Sequence, residues 1–197
     1  MVTRRSTLAL DRQHAAKDFV MLAHKYDPKK HTMEKIRGWV VEEKFDGVRA
    51  RWYLGGFYSR SMKKFPVPDE VCKAFQETYG DFPMDMELSA GRGMFQKTVS
   101  IVRNSHSTPL DWLEIRAHVF DYVHPYYTYA DRMLRLEECL SEEAPQHPMV
   151  VPVESLGYVK STEQLNSSHD VMCSYGGEGL ILRNPDGHYK FGRSWDL

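Results

Sequence analysis

Residues 43–49 read Glu43-Lys44-Phe45-Asp46-Gly47-Val48-Arg49. They put a lysine at the end of an apolar strand, followed by an acid, a turn glycine and an arginine. Period-two alternation along a strand places Glu42, Lys44 and Asp46 on one side. A free lysine has a pKa of about 10.4, so little of it is neutral near pH 7. Partial desolvation, a neighbouring cation such as Arg49, or a bound divalent metal would lower that value and expose the lone pair of a nucleophile. Gly47 lets the backbone turn closely beside a ligand. Taken alone, Lys-x-Asp-Gly also fits a solvated surface hairpin.

The segments on either side decide the fold class. Residues 38–45 and 48–54 are rich in Val, Trp and Tyr and read as strands, with Asp46-Gly47 as a tight turn between them. Gly55-Gly56 makes the next turn, into a strand over 57–61. Asp69 reads as the cap of a helix to residue 79, with Val71, Phe75 and Tyr79 on one face. Further strands are expected over 84–89, 116–123 and 179–183, and helices over 14–24, 95–102 and 130–143. Residues 150–158 read as extended, and Ser161 with Gln164 as a capping box opening a helix to residue 175. Hairpins interleaved with helices predict an α+β fold with mainly antiparallel sheets.

The composition narrows the function. The chain has 197 residues, 42% of them hydrophobic, which supports a packed core. No apolar run approaches the roughly 20 residues of a membrane span, and no secretory signal pattern is present at the start. Localisation inside the cell, in a reducing compartment, is the expectation. Cys72, Cys139 and Cys173 are few and far apart, which suggests free thiols and no disulfide framework. A net charge of −1 argues against a globally basic nucleic-acid binder. Local clusters remain at Lys29-Lys30, Arg49-Ala50-Arg51 and Arg60-Ser61-Met62-Lys63-Lys64, each by itself compatible with a solvated face.

Residues 43–49 resemble the first motif of the covalent nucleotidyltransferases: DNA ligases, RNA ligases and mRNA capping enzymes. Further likenesses follow in order at Ser59-Arg60-Ser61, Asp85-Met86-Glu87-Leu88, Val119-Phe120-Asp121-Tyr122 and Glu178-Gly179-Leu180-Ile181-Leu182-Arg183. Phe19-Val20-Met21-Leu22-Ala23, Gly91-Arg92-Gly93-Met94-Phe95 and Val99-Ser100-Ile101-Val102-Arg103 resemble the flanks found in small viral and bacterial ATP-dependent DNA ligases. RNA ligases and capping enzymes match those flanks less well, and a non-catalytic nucleotide- or DNA-binding module stays open.

The resemblance implies an ATP-grasp-like nucleotidyltransferase domain and a set of roles. Lys44 becomes adenylylated by ATP, with Asp46 and Arg49 as its catalytic companions. Arg49 and Glu87 serve the ribose, Arg60 a phosphate, Phe120 and Ile181 the two faces of adenine, and Glu42 the adenine amino group. Glu178 and Glu87 are the metal carboxylates, for Mg²⁺ or another divalent ion. The implied partners are ATP and nicked duplex DNA, with roles in replication, repair and recombination, in a monomer with no membrane. The family's fifth motif is a two-lysine strand, which Gly192-Arg193-Ser194-Trp195-Asp196-Leu197 approaches. Residues 1–197 are therefore expected to be an adenylation domain cut short before that motif, without the usual C-terminal oligonucleotide-binding barrel. Weak ATP binding, adenylylation that is slow or absent, and no unaided nick sealing are then expected.

Overall fold

A computed structural model describes residues 19–197. Its strands are β1 (Met21–Ala23), β2 (Val40–Lys44), β3 (Val48–Tyr53), β4 (Gly56–Tyr58), β5 (Met84–Ser89), β6 (Arg116–Tyr122), β7 (Val150–Pro152), β8 (Ser155–Tyr158), β9 (Gly179–Arg183) and β10 (Gly192–Ser194). Its helices are α1 (Met33–Ile36), α2 (Asp69–Tyr79), α3 (Phe95–Val102), α4 (Pro109–Trp112), α5 (Tyr129–Cys139) and α6 (Thr162–Ser174). They build a five-stranded sheet in the order β4-β3-β5-β6-β7, a three-stranded sheet β8-β2-β9, and a parallel pair β1-β10. The two larger sheets are antiparallel apart from β6–β7.

Alternation sorts the large sheet into two faces. Val48, Ala50 and Trp52 of β3 and Met84, Met86 and Leu88 of β5 enter the main core with Phe57 and Phe75. Trp52 lies 4.5 Å from Phe75 between ring centres, and its indole donates to the Gly80 carbonyl at 2.8 Å. The other face of the same strands carries Arg49, Arg51, Asp85 and Glu87, and looks away from that core. The small sheet buries Val41 against Ile36, Val159 and Leu165, and so turns Glu42 to its opposite face.

Several expectations change in three dimensions. Strands β2 and β3 are not a hairpin: β2 pairs with β8 and β9, whereas β3 pairs with β4 and β5. Residues 45–47 carry the chain from one sheet to the other. Of the helix expected over 14–24, residues 21–23 are strand β1, because long-range pairing with β10 outweighs local spacing. Its first part, residues 14–18, lies outside the described residues, as does the arginine-bearing start at Arg4 and Arg5. Pro68, not Asp69, occupies the cap of α2, and Asp69 instead sits in the first turn, where the helix dipole favours an acid. The capping box at Ser161 is half formed: its side chain accepts from Gln164 N, while Gln164 Oε1 accepts from Lys160 N. The extended run 150–158 divides into β7 and β8, in different sheets.

A buried charge network bolts the two sheets together. Glu42 of β2, Arg183 of β9, Asp121 of β6 and Arg132 of α5 are all 4% exposed or less. Arg183 Nε donates to Glu42 at 2.6 Å and its Nη1 to Asp121 at 3.1 Å. Arg132 binds Asp121 through Nε at 2.6 Å and Nη2 at 3.1 Å, and its Nη1 donates to the Tyr127 and Gly187 carbonyls. The Tyr129 hydroxyl donates to Glu42. Two acids and two arginines balance, and each carboxylate has at least two donors. Removing one member of such a network strands a buried charge, whereas an exposed pair is worth little. Arg132→Met is therefore expected to cost about 3–5 kcal/mol in urea unfolding. Arg135→Met, which breaks the exposed pair with Glu138 and a contact with Tyr127, should stay within about 0.5 kcal/mol of the parent. Equal losses would show that the network does not carry the fold.

Candidate active site

A recess of about 370 Å³ opens between the two larger sheets. Glu42, Lys44, Asp46, Arg49, Glu87, Phe120, Glu178 and Ile181 all line it, so every expected site residue but one converges there. The exception is Arg60, which is exposed and outside the lining; its backbone carbonyl accepts from Phe19 N. Arg60 lies in the turn that follows β4.

Register explains the convergence. Glu42 lies opposite Ile181 and Lys44 opposite Gly179 on β9, while Arg49 lies opposite Glu87 on β5. Phe120 depends on an irregularity. Asp85 pairs with Asp121 and Met86 with Val119, so Phe120 is the extra residue of a bulge. The bulge resets the alternation, and Phe120 and Asp121 both turn toward the space between the sheets. Strict alternation would have sent Asp121 to the core side with Val119.

Gly47 lines the recess and has a further reason beside the one expected. A Cβ there would lie 2.3 Å from the Leu88 carbonyl oxygen. The glycine lets the crossing segment press against β5. Arg92, from the Gly91-Arg92-Gly93 break, closes the crossing from outside with an ion pair to Glu43 at 2.8 Å.

Lys44 and Glu178 form an ion pair, each about two-fifths exposed. Asp46 is exposed at the rim and has no ion pair with Lys44. Arg49 is held by Asp85 through Nε and Nη2, both at 2.7 Å, and by the Met21 carbonyl at 3.1 Å. Its guanidinium stands 4.4 Å from the Phe120 ring centre. Burial works against the Arg49 charge, but the Asp85 carboxylate outweighs it and holds the guanidinium firmly protonated. Asp85 in turn accepts from the Tyr189 hydroxyl at 2.6 Å. Glu42 reaches the recess, yet its oxygens already accept from Arg183 and Tyr129, so an adenine amino group would share an acceptor in use.

Sequence reasoning gave no role to the supporting residues Asp85, Asp121 and Arg183, which stand in its motifs, and missed Tyr129, Arg132 and Tyr189. Asp85 was findable, since it alternates with Glu87 between Met84, Met86 and Leu88. His118 was also missed. It lies opposite Glu87 and stacks on Phe45 at 4.0 Å. Burial, then the charges of Arg92 and Arg116, lower its pKa to about 4, so it is neutral at pH 7.

Among the described residues no group of three or more His, Cys, Asp or Glu is arranged to hold a metal. Five carboxylates nevertheless line the recess: Glu42, Glu43, Asp46 and the expected metal pair, Glu87 and Glu178. That pair suits an ion such as Mg²⁺, which takes one or two carboxylates and completes its shell with phosphates and water.

Burial raises the Glu87 carboxyl to about 7, the Arg49 charge opposing and Asp85 adding to the rise. A carboxyl with a raised folded pKa keeps its proton longer in the native state. Its contribution is fully present below about pH 4.5 and is lost as pH rises through 7. Glu87→Gln removes that dependence. The variant should match the parent's stability near pH 4.5 and exceed it at neutral pH by on the order of 1–3 kcal/mol in urea unfolding. A gap that does not change with pH would reject the buried-carboxyl assignment.

The chain is similar in sequence and fold to known proteins. A family model described as "ATP dependent DNA ligase domain" matches residues 20–197. The DNA ligase of Haemophilus influenzae is 27% identical over 175 residues, covering 89% of this chain and 60% of that protein. A solved structure from a structure-function study of Lig E DNA ligases superposes with a TM-score of 0.77 at 30% identity, covering 90% of this chain and 66% of that one. The Chlorella virus DNA ligase-adenylate shares the fold, with a TM-score of 0.69 at 23% identity over 89% of this chain and 64% of that one. The chain thus spans about three fifths to two thirds of the length of these relatives. The chain belongs to the ATP dependent DNA ligase domain family.

Proposed function

We propose that residues 20–197 form the adenylation core of an enzyme that seals nicked duplex DNA with ATP, through AMP bound covalently to Lys44. The observation that carries this reading is the meeting of Lys44, Arg49, Glu87, Phe120, Glu178 and Ile181 around one recess. Phe120 and Ile181 come from different sheets and can take a planar base between them. Arg49, clamped by Asp85, keeps donors on its remaining guanidinium nitrogen for the ribose hydroxyls. Glu87, partly protonated near neutral pH, can both donate and accept there.

The chemistry has three steps in this reading. Lys44 attacks the α-phosphorus of ATP, a phosphorus–nitrogen bond forms, and pyrophosphate leaves. The AMP passes to a 5′-phosphate at the nick, freeing Lys44. The adjoining 3′-hydroxyl attacks that phosphate, a phosphodiester forms and AMP departs. For the first step Lys44 must shed a proton and leave its ion pair, and Glu178 is the acceptor in contact. A divalent ion held by Glu178 and Glu87 would neutralise charge on the phosphates.

Mass spectrometry after incubation with Mg²⁺ and ATP or GTP tests the reading. AMP is expected on Lys44 through an acid-labile, base-stable phosphoramidate, with no GMP adduct. Lys44→Ala should abolish the adduct and leave the unfolding midpoint nearly unchanged, because the side chain is partly exposed. AMP mapped to another lysine would end the assignment.

Phe120→Ala should weaken ATP binding about tenfold or more through lost stacking, and Phe120→Leu by less. Isothermal titration on folded variants measures this. Unchanged affinity in both would leave Phe120 as core alone.

A further inference from the structure

A second recess, of about 390 Å³, lies apart from the first. Lys29, Lys30, His31, Lys35, Trp39 and Trp195 line it, and none of its lining residues is acidic. Its construction follows from β1 and β10. They pair in parallel with Ala23 opposite Ser194, so the next residues, His24 and Trp195, emerge side by side. Their rings stack at 3.7 Å and 7°. His24 does not line the recess, so it backs Trp195 while the indole remains 52% exposed.

The cations are set by a tight turn. Lys30 N and His31 N donate to the Asp27 carbonyl, and Asp27 Oδ1 accepts from Lys29 N. This holds Lys30 Nζ 5.6 Å from the Trp195 ring centre. Helix α1 adds Lys35, which gives one hydrogen bond to the Lys30 carbonyl. Lys29, Lys30 and Lys35 have no carboxylate in ion-pair range among the described residues. The concentration of positive charge also reaches His24: after burial, the charges of Arg193, His31 and Lys30 push its pKa down.

We infer that this recess is a second nucleotide-binding site, which takes one unpaired nucleotide of a DNA strand. The base lies on Trp195, and the adjoining phosphate sits among Lys29, Lys30 and Lys35. An aromatic face ringed by unpaired cations is the pattern that binds single strands, because every base offers a π-face and every linkage a charge. A free nucleotide shares this chemistry, so the experiment must separate the two sources.

The probes are fluorescein-labelled oligothymidylate, which does not pair with itself, and free AMP. Anisotropy titrations across a salt series use the 197-residue chain, Trp195→Ala and the double variant Lys29→Gln/Lys30→Gln. Trp195→Ala should weaken oligothymidylate binding about tenfold. The double variant should lower the slope of log affinity against log salt by about 0.7 for each lysine removed. Excess AMP should leave oligothymidylate bound. The double variant keeps the test valid if Trp195→Ala fails to fold. Unchanged affinity and slope in both variants would overturn the site, and displacement by AMP would overturn the strand as its source. Lys44 adenylylation is read separately in the same variants and should not change, so failure of one reading leaves the other tested.

Discussion

Glu42, Asp121, Arg132 and Arg183 share a space from which water is excluded, and the rest of the molecule is arranged around their pairing. They come from β2, β6, α5 and β9, and so tie both larger sheets and a helix to one point. Burying four charges is costly, and the arrangement holds because each carboxylate meets arginine donors in good geometry. Carbonyls at Tyr127 and Gly187 take the donors of Arg132 that the acids do not. Shifting one sheet against the other would break several of these bonds together. The separation of the sheets is therefore fixed, and so is the width of the recess between them.

The recess inherits its residues from this geometry. The small sheet contributes Lys44 and Ile181, the large sheet Arg49, Glu87 and Phe120. A second tier lies behind them: Tyr189 holds Asp85, and Asp85 holds Arg49. Chemistry at phosphorus depends on placing charge before the reaction starts, so a clamped guanidinium is worth more than a mobile one. Glu87 lines the recess itself with a raised pKa, and its protonation follows pH in the neutral range.

A net charge of −1 hides a divided surface. Lys29, Lys30 and Lys35 surround Trp195, and no acidic residue lines that recess. Formal charge summed over a chain does not describe binding to nucleic acid; the placement of cations does.

The sequence by itself determined most of the longer elements and most of the residues that line the recess. Met84, Met86 and Leu88 alternating with Asp85, Glu87 and Ser89 mark β5 by period two alone, and Lys44, Glu87, Phe120 and Glu178 stand in motifs that can be read in order. Local patterning suffices there because each strand has one apolar face. Tertiary structure decided what local patterning does not encode. Strands β2 and β3 belong to different sheets, since pairing depends on partners more than a hundred residues away, such as Leu182 for Val41. The bulge at Phe120 turned Asp121 toward Arg132, against strict alternation. Long-range pairing made residues 21–23 a strand, and the turn after β4 left Arg60 outside the recess. A side chain's type is written in the sequence, but its direction depends on register, and register is fixed only when distant strands meet.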